Sequence, residues 1–168
     1  MRDMSCLPAG YMNFTIRLVQ SGDEEHLHVF YQGLSDRSRH YFEPYSDTSV
    51  EGMHAVVERS LAGTDLSFVA LEPDGTVLAH FFFMNLEEDA PHLGIGVRDD
   101  YQNLGIGTVL LTYLLAIARR ALSLRRVGLT VMKENTRAFH LYKHLGFEVV
   151  REVTFREKND SYEMRLNF

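Results

Sequence analysis

The chain has 168 residues, 45% of them hydrophobic and 24% charged, the profile of one soluble domain large enough to bury a core without disulfide or metal staples. Lysine and arginine number 17 against 23 aspartates and glutamates, and the formal net charge of -6 argues against nucleic-acid and anionic-membrane partners while favouring cationic substrates such as amines. A single cysteine, Cys6, excludes an internal disulfide and a multi-thiolate metal site, so a reducing, cytoplasmic setting is expected; the longest apolar stretch, 109–124, is cut by Arg119 and Arg120 and marks no membrane span.

Residues 1–13 read as a flexible lead-in without signal-peptide character, and 14–168 as a single domain. Phe14, Ile16 and Leu18 alternate with Thr15, Arg17 and Val19, which predicts a first strand with the former set buried. Ser21 with Glu24 predicts a capping box before a helix carrying Leu27, Phe30, Tyr31 and Leu34, and Thr48 with Glu51 predicts another before Met53, Val56, Val57 and Leu61. Between them, residues 35–46 hold Arg37, Arg39, Tyr41, Phe42 and Tyr45 and form either a packed connection or a substrate-facing loop.

Residues 66–71 and 77–86 flank Pro73-Asp74-Gly75 and predict a hairpin. Leu93, Ile95 and Val97 then alternate with Gly94 and Gly96, a strand with one face nearly free of side chains, which predicts a close neighbour there. Residues 106–122 form the strongest helix, 127–132 a strand, and 136–144 a helix closed by Gly146. Strands at 148–155 and 162–166 end the chain. The order β-α-α-β-β-β-α-β-α-β-β predicts an α/β fold with a mixed sheet and helices on both faces.

The chemistry concentrates at Gln102-Asn103-Leu104-Gly105-Ile106-Gly107-Thr108, between a strand and the strongest helix. Two glycines let the backbone turn and approach a ligand, and free amides at a helix N-terminus favour an anion. A P-loop is excluded because Gly107 is followed by Thr108 rather than lysine, and the dinucleotide fingerprint fails at Leu110 and Asp99. What remains is Gln-x-x-Gly-x-Gly. It is followed, after the next strand, by Asn135, Ala138, Tyr142, Gly146 and Phe147 in the spacing Asn-x-x-Ala-x-x-x-Tyr-x-x-x-Gly-Phe. With both motifs in order, the chain resembles the GCN5-related N-acetyltransferase (GNAT) superfamily over residues 14–168.

The resemblance implies a mostly antiparallel central sheet with a splayed central strand pair and an acetyl-CoA arm in the gap. It implies a pyrophosphate cradle at Gln102, Asn103, Leu104, Gly105, Ile106, Gly107 and Thr108, and cofactor contacts at Ile95, Val97, Asn135 and Tyr142. A backbone N–H near Ile95 or Val97 would stabilise the oxyanion. Tyr142 matches the position that protonates the departing thiolate. The family's early-strand glutamate falls at or next to Pro91, which cannot be a base; His92 and Glu87, with its neighbour Glu88, are the candidate substitutes. The implied activity is transfer of acetyl from acetyl-CoA to a primary amine by direct attack in a ternary complex, without an acyl-enzyme on Cys6. The alternative is a non-catalytic acyl-CoA sensor or partner-binding module of the same fold. His140 and His144 lack a third ligand, so no metal is expected. The expected partner is a small-molecule or peptide amine, and exposed C-terminal strand edges suggest a homodimer.

Overall fold

The computed structural model describes residues 13–158 and 160–168. The expected lead-in, with Cys6, falls outside the described residues except for its last position. Strand β1 (Thr15–Leu18) leads into helix α1 (Glu24–Gln32). The expected capping box is absent: Asp23 stands at the N-cap, and its carboxylate is occupied by Arg17 (2.6 and 2.8 Å) and the Gln20 N–H (2.8 Å). Arg17 thus ties β1 to the start of α1. Helix α3 (Val50–Leu61) is capped one residue later than expected, by Ser49, whose hydroxyl accepts from the Gly52 N–H.

Between them lies a helix the periodicity did not show, α2 (Asp36–Tyr41). None of its residues is fully buried, so no apolar stripe announces it. Local signals make it: Ser35 at the N-cap accepts from the Ser38 N–H, Asp36 sits in the first turn, and Arg39 and His40 sit in the last, matching the helix dipole.

Strands β2 (Leu66–Leu71) and β3 (Val77–Met84) form the expected hairpin, with Gly75 at φ +89° in its turn. Then follow β4 (His92–Val97), a 3₁₀ turn (Asp99–Tyr101), α4 (Ile106–Arg120), β5 (Arg126–Met132), α5 (Thr136–His144), β6 (Glu148–Val153) and β7 (Ser161–Asn167). The sheet order is β1-β2-β3-β4-β5-β7-β6, antiparallel at every junction except β4–β5. The expected mixed, mostly antiparallel sheet with helices on both faces is therefore present.

One core lies between the sheet and α4 and α5. Ile106, Leu110, Leu111, Leu114 and Ala118 of α4 are buried there on Phe81, Phe83, Leu93 and Leu129, each fully buried leucine contributing about 1.5–3 kcal/mol. The second core joins Leu27, Phe30 and Tyr31 of α1 to Met53, Val56 and Val57 of α3 over Val69 and Val77. At the end of β1 the expected pattern inverts: Leu18 is 47% exposed and Val19 4%, because Val19 enters the second core while the edge strand leaves Leu18 uncovered.

The nearly bare face of β4 is occupied by aromatic rings. A methyl group built on Gly94 would overlap the Phe82 ring, and one on Gly96 the Phe42 ring. Glycine there lets β4 accept two aromatics from the α1–α3 side.

Candidate active site

β4 and β5 pair only where they begin. The ladder consists of His92 opposite Gly128, with the Gly128 N–H donating to the Pro91 C=O (3.0 Å). Pro91 therefore sits at the branch point, where its carbonyl is used and its missing N–H costs nothing. Beyond it the strands separate, and a cavity of about 580 Å³ opens in the fork, within the usual size of ligand sites. The Arg98 N–H donates to the Leu78 C=O (2.9 Å), so amides at alternate residues of β4 face β3. Ile95 and Val97 consequently turn their peptide groups into the fork, and the Val97 C=O accepts there from Gln102 Nε2 (3.0 Å).

At one end of the cavity stands the N-terminus of α4. Asn103 (φ +64°) and Gly105 (φ +80°) adopt the left-handed conformation that turns the chain into the helix, and no side chain caps it. The amides of Ile106, Gly107 and Thr108 have no intrahelical acceptor. A Cβ added at Gly105 or Gly107 would meet nothing within 4 Å, so the loop faces open space. Arg37 of α2 and Arg137 of α5 also line this cavity, and neither has a carboxylate partner among the described residues; Arg137 instead donates to Asn103 Oδ1. Free amides, the positive end of a helix dipole and the Arg137 guanidinium held at Asn103 suit phosphate oxygens. The residues present therefore fit the phosphates of coenzyme A.

The structure brings most of the expected site residues together. His92, Ile95, Val97, Gln102, Asn103, Gly105, Ile106, Gly107, Thr108, Asn135 and Tyr142 all line the cavity. Leu104 lies at the loop tip, exposed and outside the lining. Gln102 has little left to offer a ligand: its N–H donates to the Asp99 C=O (3.2 Å), and its side-chain amide donates to Ser38 Oγ (2.9 Å) and to Val97. Its place is to shape the loop. Asn135 is the N-cap of α5, its Oδ1 accepting from the Ala138 N–H (3.3 Å), which leaves its NH₂ group for the cavity. Glu87 lies on the exposed turn after β3, away from the cavity lining, and Glu88 beside it is exposed as well.

Tyr142 keeps some accessible surface, but that surface faces the cavity, and burial pushes its phenol up to about 12. It is fully protonated at neutral pH. The proton lies roughly three pH units above an ordinary thiol, a wider gap than the unperturbed phenol implies, so Tyr142 is better suited to hydrogen-bonding a developing thiolate than to surrendering its proton outright. Burial lowers the His92 imidazole below its ordinary value, against the opposing pull of Glu163 and Glu88, and leaves it neutral and able to take a proton at neutral pH.

The cavity is also lined by Tyr41, Phe42, Glu43 and Phe155, and by Met84, which stands opposite His92 at the start of β4. Residues 35–46 are thus both packed connection and cavity wall. Sequence reasoning missed Arg137, Met84 and Phe155. Arg137 occupies an unspecified position of the second motif, and Met84 and Phe155 arrive from strand ends with no local signature.

The family model for the acetyltransferase (GNAT) family matches residues 22–147. The chain belongs to the GNAT acetyltransferase family. It is 30% identical over 115 residues to an N-alpha-acetyltransferase of Sulfurisphaera tokodaii, an alignment covering 60% of this chain and 68% of that one. This GNAT protein shares its fold with the ribosomal-protein-S5-alanine acetyltransferase of Vibrio fischeri (TM-score 0.79, 17% identity, 94% of each chain). It also shares it with spermidine N-acetyltransferase of Vibrio cholerae in complex with CoA and spermine (TM-score 0.74, 20% identity, 92% and 95% of the two chains). It is an acetyltransferase of a family that uses acetyl-CoA. Among the described residues no group of three His, Cys, Asp or Glu side chains is placed to hold a metal, and no helix is long and apolar enough to cross a membrane.

Proposed function

We propose that this GNAT acetyltransferase moves the acetyl group of acetyl-CoA to a primary amine by direct attack in a ternary complex within the β4–β5 fork. One observation carries the reading: a single cavity collects the uncapped α4 amides, Tyr142 and His92. Bound acetyl-CoA supplies an acetyl group already activated as a thioester. The loop from Asn103 through Leu104, Gly105, Ile106 and Gly107 to Thr108 holds its pyrophosphate, with Arg137 adding charge and Gln102 fixing the loop. Ile95 and Val97 offer peptide groups to the acyl-bearing arm as an added strand would, and the Asn135 NH₂ donates to the same arm. Tyr142 hydrogen-bonds the departing sulfur. His92, neutral at its buried position, takes the proton of the amine directly or through water. Glu87 has no part in this reading.

The remainder of the cavity lining supports an amine carried on a peptide. It is largely aromatic and apolar, and Glu43, the one carboxylate lining the cavity among the described residues, is paired with Arg156 (2.5 Å). A polyamine asks for several free carboxylates. The open edge of β6, exposed along nearly its whole length, supports a homodimer joined there. The deciding experiment follows coenzyme A thiol release from acetyl-CoA with peptides bearing a free N-terminus and with spermidine. Release with peptides is expected; release with spermidine alone, or with neither, overturns the acceptor assignment.

A further inference from the structure

Asp99, in the 3₁₀ turn between β4 and the phosphate-facing loop, makes three hydrogen bonds to α2. Its Oδ2 accepts from the Ser35 N–H (2.9 Å), and its Oδ1 accepts from Ser35 Oγ (2.6 Å) and Ser38 Oγ (2.7 Å). Each hydroxyl donates once and accepts once. Ser35 Oγ also accepts from the Ser38 N–H (3.2 Å), and Ser38 Oγ also accepts from Gln102 Nε2 (2.9 Å), whose second hydrogen goes to Val97 (3.0 Å). One closed network therefore joins the N-terminus of α2, the end of β4 and the loop that opens α4. Apart from it, His40 pairs with Glu134, Phe42 just beyond α2 packs against Tyr31 and Phe82, and Glu43 pairs with Arg156, while none of the side chains of α2 itself is fully buried. Yet α2 and the residues after it supply Arg37, Tyr41 and Phe42 to the cavity wall.

We propose that Asp99 is a positioning residue that couples the α4 loop to the α2 wall of the cavity: loading the α4 loop with coenzyme A orders α2 through the Asp99–Ser35–Ser38–Gln102 network, and so completes the acceptor wall. The inference rests on the coenzyme A reading above. Asp99 touches neither substrate in this account; it acts through α2. Removing its charge takes away charge-assisted hydrogen bonds, so the acceptor KM rises about tenfold while the dissociation constant for coenzyme A moves less than about threefold.

The test is hydrogen–deuterium exchange of the full chain with and without coenzyme A, for the wild type and for Asp99→Asn, alongside calorimetric titration of both. Coenzyme A is expected to slow exchange in the wild type both at residues 105–110 and at residues 36–42. In Asp99→Asn only residues 105–110 are slowed. Ser38→Ala, which removes one donor to Asp99, gives a partial loss of the same kind, and an unchanged far-ultraviolet circular dichroism spectrum shows that each variant is folded. Equal protection of residues 36–42 in all three proteins, or protection of 105–110 without 36–42 in the wild type, overturns the coupling and leaves the coenzyme A reading standing. No heat of binding and no protection at 105–110 in the wild type overturns both.

Discussion

Tyr142 and His92 occupy one cavity but differ in what burial does to them. The phenol is held protonated far above neutral pH, and the imidazole is held neutral below its ordinary value. Tyr142→Phe keeps the ring that packs edge-on against Phe147 and removes only the hydroxyl. It is expected to lower kcat at least about tenfold with the coenzyme A dissociation constant within threefold, as steady-state kinetics and calorimetry will read. Equal kcat in the two proteins would remove Tyr142 from the chemistry. For His92 the sign follows from burial: the charged form is disfavoured, so the proton leaves below pH 6.5 and kcat rises with pH across that acid limb, levelling by neutrality. His92→Ala should lose the limb, and a limb retained in the variant assigns it to another group. At this scale the sequence was informative where spacing is local. Gly105, Gly107, Asn135 and Tyr142 stand in two short motifs whose geometry is set by helix ends. Arg137, Met84 and Phe155 reach the cavity only through the folding of separate elements, and the burial that moves both titrating groups is a property of the assembled sheet.

Among the elements, β4 shows how a pattern can be read correctly and still leave its cause open. The glycine alternation predicted a close neighbour, and the neighbours are Phe82 from the adjacent strand and Phe42 from the segment after α2. Gly96→Ala forces the Phe42 ring aside and is expected to cost about 1–3 kcal/mol in denaturant unfolding. In a Phe42→Ala background the same change should cost much less, since the obstructing ring is gone; an identical cost in both backgrounds would assign the close packing elsewhere. The long elements were legible because amphipathic periodicity is strong in α4 and because Pro73-Asp74-Gly75 marks the turn between the two largely apolar runs of the β2–β3 hairpin. The short α2 was not, because capping and charge hold it while no face of it is fully buried. The capping boxes shifted for a similar reason. Asp23 outcompetes Ser21 through its bond to Arg17, a partner six residues away that no cap motif includes.

For the whole molecule, stability carries the mark of His80, buried in the second core's aromatic cluster. Its Nδ1 shares a hydrogen bond with Tyr31 Oη (2.8 Å), its Nε2 has no partner among the described residues, and burial drops its pKa to about 3. The unfolded chain binds a proton at this histidine below about pH 6.5 while the folded one stays neutral, so stability is complete above pH 6.5 and declines as pH falls toward 3, by at most about 1.4 kcal/mol per pH unit. His92, shifted in the same direction, adds to the decline. Between pH 6.5 and 4, His80→Phe should unfold with a visibly shallower loss than the wild type; parallel losses would show that another group governs the acid limb.

The central claim is that the α4 N-terminus receives the phosphates of acetyl-CoA, and Gly107→Val tests it most directly. Gly105 is a poor site for the test, because its φ of +80° strains any side chain, whereas Gly107 is helical with open space where its side chain would go. Valine there is no worse a helix former than glycine and fills only the ligand's approach. Calorimetric titration with acetyl-CoA should give micromolar binding for the wild type and at least about tenfold weaker binding for Gly107→Val at unchanged thermal stability. Equal affinity in the two proteins would contradict the account and move the cofactor's phosphates away from α4.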